Sequence, residues 1–402
     1  MLGSDSEPIR AEKALFDLAA WAAPQAALKA ALTSDDVDIL GSRPADGVDD
    51  EVWHQWTQRF RDYLGAHGHV LFNLDFVNPV AADDPSPIEQ SLRFYLANDA
   101  AGPYRRQQEL IAKRDEVTAT LLGRLHGPLR SRISQLLGWA QRLGPLREDA
   151  LAAMGLGWPT ARRLLRELGG RLVSAGAIDE AMDACWLSLA EVQRCAAALD
   201  GYGEMPEGLP DQIAGRQARA RGQRQVSPPQ YLPKNKLMDA FEWMYPAKSS
   251  GEDVTVLSGT GGSGGLVTAR ARVVTGPEDF STFQAGEVLV ASITTPAYTP
   301  LFAIASGVVT DIGGVLSHGS IVAREYAIPA VLGTGDATRM IHTGDQITVD
   351  GSAGKVFLAG SSAAAPESTR PAFGKRFWVL AGAGVLASAM IVRRVLRGRR
   401  VG

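Results

Sequence analysis

The chain is poor in the groups that most quickly tie a sequence to a chemistry. Its 402 residues include two cysteines, Cys185 and Cys195, and six histidines. Two thiols in one helical stretch exclude a disulfide framework and a thiolate zinc site, and they fit a reducing compartment. Nothing has the Cys/His spacing of a metal site, so no metal is expected. The opening "MLGSDSEPIRAEKALFDLAAWAAP" puts acids before its apolar part and lacks a basic leader, so it does not read as a signal peptide. Cations are also scarce through most of the chain. Residues 371–402 hold seven of the 41 Lys/Arg and no Asp/Glu, which leaves 34 basic against 44 acidic residues, net −10, ahead of them. An acidic body of this kind excludes broad nucleic-acid binding.

What is present divides into two textures. Residues 1–245 read as helical: "IEQSLRFYLAND", "QQELIAKRDEVTATLLGRLHGPLRSRISQLLGWAQRL" and "TARRLLRELGGRLVSAGAIDEAMDACWLSLAEVQRCAAAL" repeat apolar residues at three- and four-residue spacing. Residues 246–266, with "GTGGSGGL", read as a flexible hinge. From 267 to 358 the runs "LVTARARVV", "EVLVASI", "GVVTDI", "AVLG", "QITVD" and "KVFL" alternate with turn signals, and Ser317 is placed to cap a helix through "GSIVAREY". The spacing therefore predicts an α+β multidomain chain. A linker (359–376) follows, then "FWVLAGAGVLASAMIV" with Val395 and Leu396, and a basic tail at 397–402. Sixteen helical residues span about 24 Å against a hydrocarbon core of roughly 30 Å. With Arg393 and Arg394 snorkelling, 377–396 reads as a membrane-anchoring helix.

In "GGVLSHGSIVAREYAIPAVLG", Gly313 and Gly314 allow close backbone approach. Ser317 and His318 fall at a helix start, where free N–H groups favour an anion. An imidazole there suits either a phosphoryl carrier or a satisfied structural histidine. His342, in "MIHTGDQI", reads as surface structure.

Residues 288–356, with their Thr-Asp-x-Gly-Gly-x-x-Ser-His core and the later Ala-Arg-Glu…Ile-Pro-Ala-Val run, resemble the mobile, swivelling phosphohistidine domain of the PEP-utilising enzymes. That family includes PEP synthase, pyruvate phosphate dikinase and rifampicin phosphotransferase. The resemblance implies a β/β/α swivel with His318 as the phosphorylated residue. Thr310, Gly313, Gly314 and Ser317 would shape its pocket, and Arg324 would pair with Glu325 on the helix. "YLGAHGHVLFNLDFVNPV" resembles the helical region of rifampicin-phosphotransferase-like proteins, with Val70 and Leu71 in place of an Arg-Gly. It makes His67, His69 and Asp75 candidates for an acceptor site, and Trp158, Trp186 and the earlier tryptophans candidates for its lining.

A nucleotide-grasp domain and a PEP/pyruvate barrel have no counterpart in the sequence. The resemblance therefore implies no cofactor bound in this chain, with ATP and Mg on a separately encoded ATP-grasp subunit and a hydroxylated small molecule as acceptor. The expected protein is a cytoplasmic phosphotransferase component anchored to a membrane. The alternative is an inactive, membrane-tethered binding or regulatory protein that keeps the swivel fold.

Overall fold

The computed structural model describes residues 2–34, 36–97, 102–224 and 255–358. The expected anchor at 377–396, its linker and tail, and residues 246–254 of the expected hinge lie outside the described residues. Among the described residues, no helix is long and apolar enough to cross a membrane.

The helical region opens with α1 (Glu7–Ala22), α2 (Ala26–Thr33), α3 (Asp50–His67) and α4 (Ser86–Ala97). Asp49 caps α3 by accepting from the amides of Glu51 and Val52. The apolar faces of these helices meet in one core around Trp53, Trp56, Phe60 and Leu92. Next come two long helices, α5 (Pro103–Gly123) and α6 (Gly127–Ala153), and then α7 (Trp158–Ser174), α8 (Leu189–Leu199) and α9 (Leu209–Arg224). Arg162 of α7 is buried and donates to Asp83 at 2.5 Å and to the Phe76 carbonyl. The 73–84 loop is thereby tied down.

Residues 256–357 form an eight-stranded sheet in the order β1-β8-β7-β3-β4-β5-β6-β2. Its strands are β1 (Val256–Ser258), β2 (Thr260–Ser263), β3 (Leu266–Val274), β4 (Val288–Ala291), β5 (Gly307–Thr310), β6 (Ala330–Leu332), β7 (Gln346–Asp350) and β8 (Lys355–Phe357). β3 serves two ladders. Its first half runs antiparallel to β7, and its second half runs parallel to β4. β4 and β5 are buried along their whole length, which is why they read as continuous apolar runs rather than alternating ones. Two short helices cover the parallel part, α10 (Thr299–Ile304) and α11 (His318–Glu325).

Residues 256–263 differ from the expected hinge. They are strands, with β1 paired to β8 and β2 to β6. Glycine there serves close approach rather than freedom: a Cβ on Gly261 would stand 2.4 Å from the Gly351 carbonyl oxygen.

The two regions share a core. Ile9 of α1 is buried among Phe280, Tyr298, Phe302, Val322 and Tyr326 of the sheet domain. At about 25 cal/mol per Å² of apolar area removed from water, such insertion contributes on the order of 2 kcal/mol for a side chain of this size.

Candidate active site

His318 is the first residue of α11, with Ser317 in an extended conformation before it. Gly313 has a φ of +150°, and a Cβ there would crowd Leu332 and the Ser317 hydroxyl. That glycine lets the loop turn under the helix start. A Cβ on Gly319 would come within 2.5 Å of Thr294 Oγ1, so the residue after the histidine must stay small for α11 to lie on its neighbour.

The two hydroxyls expected to form a phosphate pocket, those of Thr310 and Ser317, are occupied by the loop itself. Ser317 and Ser320 both donate to the Gly314 carbonyl, at 2.8 and 2.7 Å, and Thr310 donates to the Ile312 carbonyl at 2.9 Å. In this arrangement they hold the loop's shape. Gly314 itself has open space where a side chain would be.

The imidazole reaches across to the helical region. His318 Nδ1 lies 2.6 Å from Glu148 Oε2 on α6, and the two side chains are 4% and 1% exposed. Arg147 donates to the other carboxylate oxygen. Burial pushes the Glu148 pKa up, but the hydrogen bond to His318 and the Arg147 guanidinium outweigh it and hold the group below its ordinary value. His318 Nε2 is buried and has no hydrogen-bond partner, and the Phe302 ring stands edge-on to the imidazole at 6.2 Å.

Around this pair the domains are fastened at several further points. Glu325 accepts from the Gly3 amide at 2.9 Å and from Ser4 Oγ at 3.1 Å. Burial raises its pKa to about 7 against the pull of those bonds. Arg106 of α5 donates to the Glu325 carbonyl, lies 4.3 Å over the Tyr326 ring and pairs with the buried Glu12. The expected Arg324–Glu325 pair does not form: Arg324 donates instead to the carbonyls of Gly262 and Val315. The helix directs its last two charges to different neighbours.

The acceptor candidates separate. His67 Nδ1 is 2.7 Å from Glu7 Oε1, and Glu7 is held below its ordinary pKa by that contact and by Arg10, despite burial. His69 is buried, and burial lowers its pKa. Asp75 is exposed and accepts from the Val77 amide, closing a local turn. Of the three, His67 alone lines the cleft between the regions, which is partly open to solvent. Its walls are largely apolar, with Phe72, Ile88 and Ala152 facing Phe280, Ala297 and Ala303, and Glu7 and Glu12 add charge. Thr299 Oγ1, on the sheet side of this cavity, is buried without a partner. None of the described tryptophans lines it. Trp53 and Trp56 are core, and Trp158 stacks on Phe76 at 4.1 Å. His342 is exposed, 3.7 Å from Asp345.

Among the described residues, no cluster of His, Cys, Asp and Glu could hold a metal ion. Glu148 is the residue that reading the sequence did not single out. Its only local signal was the charged triplet Arg147–Glu148–Asp149.

Residues 283–354 match the PEP-utilising enzyme mobile domain, and residues 4–148 match the rifampicin phosphotransferase fourth domain. The uncharacterized phosphotransferase YvkC of Bacillus subtilis is 35% identical over 206 residues, 50% of this chain and 24% of its own length. The prodigiosin synthesizing transferase PigC of Serratia marcescens is 30% identical over 340 residues, 83% of this chain and 37% of its own. The rifampicin phosphotransferase of Bacillus cereus is 44% identical over 94 residues, 23% of this chain and 11% of its own. The chain thus spans well under half the length of these relatives. Its sheet domain is a mobile domain of the PEP-utilising enzyme family, joined to a helical region of the rifampicin phosphotransferase fourth-domain type.

Proposed function

We propose that the chain is the phosphoryl-carrying component of a phosphotransferase, with His318 Nε2 as the atom that takes the group. The buried His318–Glu148 pair carries this reading. A carboxylate held ionised can only accept, so Nδ1 keeps its hydrogen and a neutral ring has its lone pair on Nε2. Glu148 is thus a positioning residue: it fixes the tautomer and the ring plane.

In the first displacement, Nε2 bonds to a phosphorus of the nucleoside triphosphate. The bond from that phosphorus to its bridging oxygen breaks, and the electron pair leaves with the departing phosphate group. In the second, an acceptor hydroxyl oxygen bonds to phosphorus while the N–P bond breaks. The pair returns to Nε2, and the hydroxyl proton passes to the freed imidazole.

Nε2 is closed off while α11 rests on α6, so the sheet domain must lift away to meet a donor. The donor is a nucleotide-binding (ATP-grasp) polypeptide that brings ATP and Mg, and the greater length of the relatives supports further stations of this kind. The acceptor is a hydroxylated small molecule. A largely apolar cavity edged by His67, Glu7 and Glu12 supports that class. The apolar run 377–392, flanked by cations, supports membrane attachment from its sequence alone; release of the full chain from membranes by alkaline carbonate would remove that part.

The test is reconstitution with the nucleotide-binding polypeptide and ATP labelled at each phosphorus in turn. Acid-labile label on the wild type and none on His318→Ala is the expected result. Label that persists in His318→Ala, or that never appears on the complex, would sink the reading.

A further inference from the structure

The α5–α6 pair buries very little: Pro103 and Leu110 on α5, Glu148 and Ala152 on α6. One face of α6 is nevertheless used. Ile133, Leu137 and Gln141 are half-buried and lead on to the buried Glu148, following the spacing of a helix side turned inward.

A second apolar stripe runs along the outside of the same helix. Leu129, Arg132, Leu136, Trp139, Leu143 and Leu146 recur at steps of three, four, three, four and three, the a/d pattern of a helix that pairs with another helix. At 100° per residue these six side chains fall within about a third of the helix circumference. All are exposed, with Leu129 at 55%, Trp139 at 53%, Leu143 at 61% and Leu146 at 55%. Scattered exposed leucines are ordinary. A contiguous row of five large apolar residues at heptad spacing marks an interaction surface.

The charges around the stripe select its occupant. Residues 127–147 hold four arginines, Arg130, Arg132, Arg142 and Arg147, and no acid. Arg132 occupies a d position within the stripe, and Arg142 flanks it. A parallel pair of these helices would set Arg132 against Arg132, and in either orientation the four arginines of one 127–147 segment would meet the four of the other with no acid from that segment to neutralise them. An acidic partner meets the same charges favourably.

We infer that the outer face of α6 is a docking surface for an amphipathic helix of another polypeptide, with apolar residues at a and d and carboxylates beside them. The surface stands apart from the phosphotransfer reading, since none of these side chains touches His318 or the cavity. The same helix carries Glu148 on its inner side, two residues past the end of the stripe, so a partner seated here is fixed to the element that receives the swivel.

The experiment uses the full chain and a labelled synthetic peptide of several heptads, leucine at a and d and glutamate at e and g, followed by fluorescence anisotropy. A lysine-for-glutamate peptide is the control. The acidic peptide is expected to bind and the lysine peptide to fail. Leu143→Glu should weaken binding by about tenfold or more. Arg132→Glu, which removes no apolar contact, should weaken it by several-fold and reduce its salt dependence. Both positions are exposed, and circular dichroism confirms that the variants keep their helix content. Three outcomes would overturn the inference: no binding of the acidic peptide, equal binding of both peptides, or a homodimer by light scattering that Leu143→Glu dissolves.

Discussion

The molecule holds two histidine–glutamate pairs of the same local chemistry in different settings. In each, Nδ1 meets a carboxylate at 2.6 or 2.7 Å, and the carboxylate's pKa lies below its ordinary value. His67–Glu7 lies within the helical region, 17% exposed on both sides. His318–Glu148 joins the two regions across 170 residues of sequence, at 4% and 1%. A pair inside one region stabilises that region. A pair between regions stabilises a docked arrangement and at the same time sets which imidazole nitrogen is free. The difference in role follows from topology and burial, not from the residue types.

The sharpest way to break the comparison is to remove each carboxylate in turn. Glu148→Ala frees the tautomer and ring orientation of His318, and phosphoryl transfer should fall by about a hundredfold or more in a reconstituted assay. Glu7→Ala should change the labelling of His318 by much less, while lowering unfolding free energy in denaturant titrations by about 1 kcal/mol. Equal effects of the two variants on His318 labelling would erase the distinction.

A second prediction concerns pH. Glu148 has a depressed folded pKa, so its contribution is complete above the ordinary carboxylate range and is lost as pH falls through the folded value. Glu325 does the reverse. Its folded pKa of about 7 lies above the unfolded value, so ionising it costs stability progressively as pH rises from the ordinary carboxylate range to about 7. Glu325→Gln should therefore raise the melting temperature at pH 8 and leave it nearly unchanged at pH 4. The gain should be on the order of 1–3 kcal/mol, read by calorimetry across that range. A gain at pH 4 equal to that at pH 8 would contradict the assignment.

The smallest effect sharpens the anchoring of α11 alone. Ala327, just past the helix end, has a φ of 55°. Its amide bonds back to the Arg324 carbonyl, and that of Ile328 bonds to Ala323. A left-handed alanine costs roughly 1 kcal/mol relative to glycine. Ala327→Gly should stabilise the protein by about that amount, with transfer unchanged.

Much of the sheet domain was legible in the sequence because strands leave local traces. "LVTARARVV" coincides with β3, and the runs around Val288, Val308, Val331, Ile347 and Val356 all became strands. β1 and β2 were hidden in "VLSGTGGS", since glycines chosen for close backbone approach look the same as glycines chosen for flexibility. His318 was legible from its loop. Its partner was not. Glu148 sits on a helix whose charge pattern is that of a solvated face, and it is buried where the fold brings His318 of α11 against it. The Arg324–Glu325 expectation failed for a related reason: adjacent helix positions diverge by about 100°, so neighbouring charges turn to different surfaces.

The most direct test of the central claim is phosphopeptide analysis of the protein isolated from its native cells, under alkaline conditions that spare a phosphoramidate. The account expects phosphate on His318, N-linked and lost on brief acid treatment. An unmodified His318 peptide, alongside full recovery of a known phosphohistidine control, would contradict it.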